Sequence, residues 1–99
     1  MAAVLVSYPA APGARFDRDY YLGTHMPLVQ EGFGPLGLIH AIALFPDDAD
    51  QALLAAALLT FRDGAARDAA LASPAAAPVF ADIPNFTNVQ PAAARMSVA

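Results

Sequence analysis

The nine residues "LLAAALLTF", 53–61, offer no polar face to water. An antiparallel strand with one solvated face would alternate apolar and polar side chains, and this run does not. Alanine and leucine are the strongest helix formers, so on local grounds "QALLAAALLTF" reads as a helix. "TFRDG" at its end reads instead as a strand running into a loop. Taking 54–61 as strand orders the chain as β-α-β-β-α-β, the ferredoxin-like α+β arrangement with a four-stranded antiparallel sheet.

The other elements fit that frame. "AVLVSYP" (3–9) is the first strand, ended by Pro9. "FDRDYYLGTHMPLVQEGFG" is a helix with Asp17 as N-cap and Phe16 set to pack back on Tyr21; the Gly/Pro cluster "GFGPLG" terminates it. "LIHAIALF" (38–45) is the second strand, closed by the turn "PDDAD". "AARDAALASPAAAPVFADI" is helical to about Ser73, with Pro74 and Pro78 interrupting it. "NFTNVQPAAARMSV" ends as an extended strand, which Pro91 confines to a sheet edge. In the usual strand order, 4-1-3-2, the last strand is at an edge and the third is internal. Two helices cover one face of such a sheet, and the strands have no polar side to give to the other. A second copy packing sheet on sheet is the economical cover, so a homodimer is expected.

Composition narrows the partners. The 99 residues form a single domain, 58% hydrophobic and 14% charged, which is too apolar for a disordered chain. The formal charge is −4, lysine is absent, and the five cationic residues are scattered arginines, so no basic patch exists for nucleic acid. Without cysteine there is no disulfide framework, thiolate metal site or thiol nucleophile. The N-terminus "MAAVLVSYP" lacks the build of a signal peptide, and "ALLAAALLTF" is about half a membrane span. A cytoplasmic protein that does not engage membranes is expected.

Three of the chain's two histidines and three tyrosines fall in "YYLGTHMPLV", 20–29. At helical spacing Tyr21 and His25 share a face. Pro27 removes the amide that would bond the Gly23 carbonyl, and Gly23 gives the backbone slack, so a kink is expected beside the imidazole. A histidine held there can hydrogen-bond with one nitrogen and direct the other into a cleft. The plainer reading makes His25 a half-buried structural residue and the Gly and Pro mere helix enders.

Other groups carry less. Asp17 and Asp19 could pair, but Asp17 reads as a cap and Asp19 as solvated; Asp47, Asp48 and Asp50 read as a turn's solvated face. His25 and His40 have no metal-ligand spacing, and no metal or cofactor is expected. His40, in an apolar strand, is either a hydrogen-bonded structural residue or a pocket residue. Phe33, Phe45, Phe61 and Phe80 read as core. "GFGPLG" lacks the strand and helix that a nucleotide fingerprint needs.

"FDRDYYLGTHMPLV" resembles the EthD signature F-D-x-D-Y-Y-x-x-x-H-M-P-L, and "ADIPNFTNVQP" resembles a second feature of that family before the last strand. The resemblance runs from Tyr8 to about Pro91. It implies a ferredoxin-like subunit of a dimeric α/β barrel, settling 54–61 as strand against propensity. The alanine-rich middle departs from the family and leaves small side chains to line any pocket. By the resemblance, the site comprises His25, with Tyr21 nearby, Tyr8 from the first strand, and Asn85 and Thr87 from the loop before the last; His40 is a further candidate. The family's associations are with ether degradation and pigment or polyketide biosynthesis. They imply a cofactor-independent oxidoreductase, isomerase or lyase acting on an aromatic or polyketide-like small molecule, with His25 as general acid or base. A non-catalytic protein that holds an apolar metabolite is the alternative, and haem handling ranks below both.

Overall fold

The run that propensity makes a helix is a strand. A computed structural model describes residues 1–99 and places β3 (Leu53–Phe61) inside a four-stranded sheet between β1 (Ala2–Pro9) and β2 (Leu38–Leu44). The order is β2-β3-β1-β4, with β4 (Ala92–Ser97) at an edge and every pairing antiparallel. Leu58 faces Leu5 on one side and Ile42 on the other. A strand laddered on both sides has all its amides satisfied, and long-range pairing overrides the weak local preference of alanine and leucine. Pro91 immediately precedes β4, where the missing N–H costs no internal ladder bond.

Between β1 and β2 the chain forms α1 (Arg18–Tyr20), a π-helical turn (Tyr21–His25) and α2 (Met26–Phe33) in one continuous rod. Asp17 caps its start, Oδ1 accepting from the Tyr20 amide at 3.0 Å. Phe16, just outside the cap, packs edge-on to Tyr21 with ring centroids 5.0 Å apart, closing the hydrophobic staple. The expected kink takes the form of the π turn: the Met26 amide reaches past the usual acceptor to the Tyr21 carbonyl, five residues back. A 3₁₀ turn, Gly34–Leu36, then leads to Gly37, whose φ of 109° is a left-handed conformation that suits glycine.

After β3, Asp63 caps α3 (Gly64–Ala72) by accepting from the Ala66 amide at 2.7 Å. Pro74 follows its end, and α4 (Ala76–Ala81) holds Pro78 in the first turn, where amides lack helical partners anyway. A 3₁₀ turn, Ile83–Asn85, completes the path to β4.

All helices lie on one side of the sheet. Val4, Tyr8, Leu59 and Phe61 point into that side and are at most 5% exposed. Phe33 meets Phe61 there at 6.0 Å, as core residues. Phe45 is half-buried, with the Arg18 guanidinium 4.7 Å above its ring. Phe80 departs from the core reading: it is 54% exposed, and Ala76 and Val79 are the residues that α4 turns inward. No helix is long and apolar enough to cross a membrane.

Candidate functional site

His25 ends the π turn 3% exposed, its ring stacked on Tyr21 at 5.3 Å and 19°. Phe86 closes from the other loop, 4.5 Å from the imidazole centroid. Nδ1 of His25 lies 2.9 Å from Oδ2 of Asp82, a carboxylate 57 residues further along the chain. The other oxygen, Oδ1, accepts from the Tyr20 hydroxyl at 2.6 Å and from Asn85 Nδ2 at 2.9 Å. Burial pushes the Asp82 carboxyl up, but the hydrogen bonds from Tyr20, Asn85 and His25 outweigh it and hold the group below the ordinary carboxylate range.

Local sequence explains why Asp82 stands there. It ends α4, its amide bonding the Pro78 carbonyl at 3.2 Å, and it opens the 3₁₀ turn, its own carbonyl accepting from the Asn85 amide at 3.0 Å. The following loop is strapped to the segment before α1. Thr87 Oγ1 donates to the Arg15 carbonyl at 2.7 Å, Asn88 Oδ1 accepts from the Arg15 amide at 2.8 Å, and the Asp17 amide donates to the Phe86 carbonyl at 2.8 Å. The carboxylate and the helix bearing His25 are thus tied together by one backbone bond and two from side chains to backbone.

Beyond the imidazole lies a cavity of about 400 Å³ between the helices and the inner face of the sheet. Eighteen residues line it, 14 of them hydrophobic, and none carries a fixed charge. Val4, Val6 and Tyr8 of β1 form part of the wall, with Ala57 of β3 and Ala93 of β4 as the small side chains that leave room. The exposed lining residues Phe80, Pro84, Gln90 and Ala93 mark its mouth beside β4. With Nδ1 engaged, Nε2 of His25 is the nitrogen left for this space. Tyr8 and Tyr21 also line it; burial raises both hydroxyls, Tyr8 to about 12, and they lie close enough to perturb each other. Both stay protonated near neutral pH and can serve as hydrogen-bond donors.

Of the residues expected at the site, His25, Tyr8 and Tyr21 share the cavity. Asn85 does not line it and instead donates to Asp82 behind the imidazole, and Thr87 is a strap between loops. His40 is elsewhere: it pairs with Thr60 on the opposite, open face of the sheet and is exposed. Sequence reasoning missed Asp82, Tyr20 and Phe86, although all three lie within the two quoted motifs. A lone carboxylate three residues before Asn85, behind a proline-broken helix, was the available signal for Asp82. No three His, Asp or Glu side chains come together as a metal site would need.

No family model matches the chain, and no curated protein does. Solved structures do. An EthD-like protein from Ralstonia eutropha JMP134 is 27% identical, with 99% of this chain and 91% of that one covered at a TM-score of 0.84. An EthD family protein from Bacillus halodurans C-125 is 14% identical over 93% and 96% of the two chains, TM-score 0.65. A dimeric ferredoxin-like protein of unknown function from Jannaschia sp. CCS1 is 21% identical over 98% of each, TM-score 0.68.

Proposed function

We propose that the chain is a member of the EthD family, as its likeness to two solved structures of that description supports, and that it is a cofactor-independent enzyme acting on an aromatic or polyketide-like small molecule. The observation that carries the reading is a buried imidazole–carboxylate pair opening on an apolar cavity. Its volume falls in the range of small-molecule sites, and its walls suit a neutral, largely apolar body. Nε2 of His25 takes a proton from an acidic O–H or C–H of the bound molecule, while Asp82 stabilises the imidazolium; the same nitrogen returns the proton elsewhere. Tyr8 and Tyr21 hold an oxygen of the substrate in place. The water-poor setting strengthens each of these interactions.

The test is turnover of a panel of phenols and enolisable aromatic ketones. His25→Ala is expected to lower it by about 10²- to 10⁴-fold, and His40→Ala to leave it unchanged. Retained turnover in a folded His25→Ala protein removes the mechanism. The predominance of hydrophobic side chains in the cavity wall also favours a second reading, a protein that binds an apolar metabolite without reacting. Saturable binding that survives His25→Ala with no product formed supports it.

We further propose that two copies pair through the open face. Leu5, Ile42, Leu44, Leu58 and Met96 share that face by their register; Ile42, Leu44 and Met96 are 47, 49 and 41% exposed. A partner sheet would cover them with an interface of roughly 1,500 Å² in total.

A further inference from the structure

Tyr20 and His25 are five residues apart, and in a regular α-helix that spacing turns two side chains about 140° away from each other. In this helix both reach one carboxylate. The π turn makes the difference: with the Met26 amide bonded to the Tyr21 carbonyl, one extra residue is absorbed and the fifth residue returns over the first. The Tyr20 hydroxyl then meets Oδ1 of Asp82 and His25 Nδ1 meets Oδ2.

We propose that Asp82 is the positioning residue that fixes which ring nitrogen of His25 carries the proton, and that the π turn with Tyr20 and Asn85 holds it in that role. The inference rests on the reading of His25 as the proton-transfer group. An ionised carboxylate only accepts hydrogen bonds. Oδ1 is occupied by two donors, Tyr20 and Asn85, so Oδ2 is the oxygen turned to the imidazole. Nδ1 must therefore be the N–H, and the neutral ring presents the lone pair of Nε2 to the cavity as a base. The ionised state that this requires agrees with the downward displacement of the Asp82 carboxyl.

Replacing Asp82 by asparagine keeps the shape and reverses the polarity. Tyr20 and Asn85 still need an acceptor, so the amide oxygen stays with them and the NH₂ group turns to His25. Nδ1 then has to accept, the proton moves to Nε2, and the cavity meets a donor where it had a base. A purely structural loss would not move a proton from one ring nitrogen to the other.

The experiment is long-range ¹H–¹⁵N correlation spectroscopy on histidine-labelled protein without substrate, at a pH where the ring is neutral, with His40→Gln as background so that one imidazole is seen. The expected result is Nδ1–H in the otherwise unaltered chain and Nε2–H in Asp82→Asn. Nε2–H in the unaltered chain overturns the proposal without needing any Asp82 variant to fold, and so does an unchanged tautomer in folded Asp82→Asn. Turnover separates this from the acid–base reading itself. Asp82→Asn should lower kcat by about 10²-fold or more with KM little changed. A tautomer switch with undiminished turnover sustains the role of Asp82 and removes proton transfer by His25 instead.

Discussion

The two faces of the sheet are built from alternate residues of the same four strands, yet they meet opposite conditions. On β1, Val4, Val6 and Tyr8 turn toward the helices, while Leu5 and Ser7 turn away. The helix-covered face holds the polar groups that matter: His25 is paired with Asp82 through Nδ1 and keeps Nε2 for the cavity, and no fully buried side-chain nitrogen or oxygen lacks a partner. The open face holds branched apolar side chains with no cover from the subunit itself. The usual expectation of polar outside and apolar inside is partly inverted. Proton transfer gains from exclusion of water, so the polar cluster belongs on the covered side, and the apolar surplus becomes available for assembly.

Neighbouring positions on β3 separate these two conditions most sharply. Ala57 lines the cavity at 3% exposure, whereas Leu58 points to the open face. Ala57→Asp should destabilise the subunit by about 3–5 kcal/mol, an unpaired buried charge; Leu58→Asp should leave it folded and disrupt pairing. Urea denaturation with light scattering reads both, and a folded, dimeric Leu58→Asp protein would contradict the sheet-to-sheet assembly. A smaller effect tests the polar cluster. The depressed Asp82 carboxyl contributes stability that is fully present above the ordinary carboxylate value and is lost as pH falls through its lower native value. Stability of the unaltered protein should therefore fall more steeply than that of Asp82→Asn as pH drops below the ordinary carboxylate value. Parallel acid-denaturation curves would count against the cluster holding an ionised group. The smallest effect is at the helix entrance: Asp17→Ala should cost about 1 kcal/mol through loss of the cap, read as a shift in the denaturation midpoint, while the backbone bond from residue 17 to Phe86 is kept.

What could be read from the sequence follows the range of the interaction. The cap at Asp17, the staple of Phe16 on Tyr21 and the irregularity at Gly23 and Pro27 are local, and all are found as expected. The partner of His25 is not local: nothing in "YYLGTHMPLV" points to a carboxylate 57 residues on. The strand at β3 was legible only through topology, since its own composition argues for a helix. His40 shows a subtler limit. A register irregularity between Leu38 and His40 inserts one residue in β2, and a one-residue slip sends every later side chain to the other face. Without that bulge His40 would point toward the cavity side, and no residue in "LIHAIALF" announces it. Phe80 looked like core because aromatic residues in helices usually are; in α4 Ala76 and Val79 take the inward positions and Phe80 stands at the cavity mouth.

The π turn gives the site an unusual form of inheritance. Gly23 sits exposed within it, with nothing near enough to meet even an added methyl. Deleting that one codon would let the helix settle into regular α geometry with Tyr20 and His25 four residues apart, a spacing that keeps two side chains on one face. Keeping the codon but winding the same residues as an α-helix would instead rotate the first turn by about 100° relative to the rest, and Tyr20 would swing away from Asp82. The π turn thus lets the helix carry one residue more than α geometry needs while both oxygens of the carboxylate stay engaged by it.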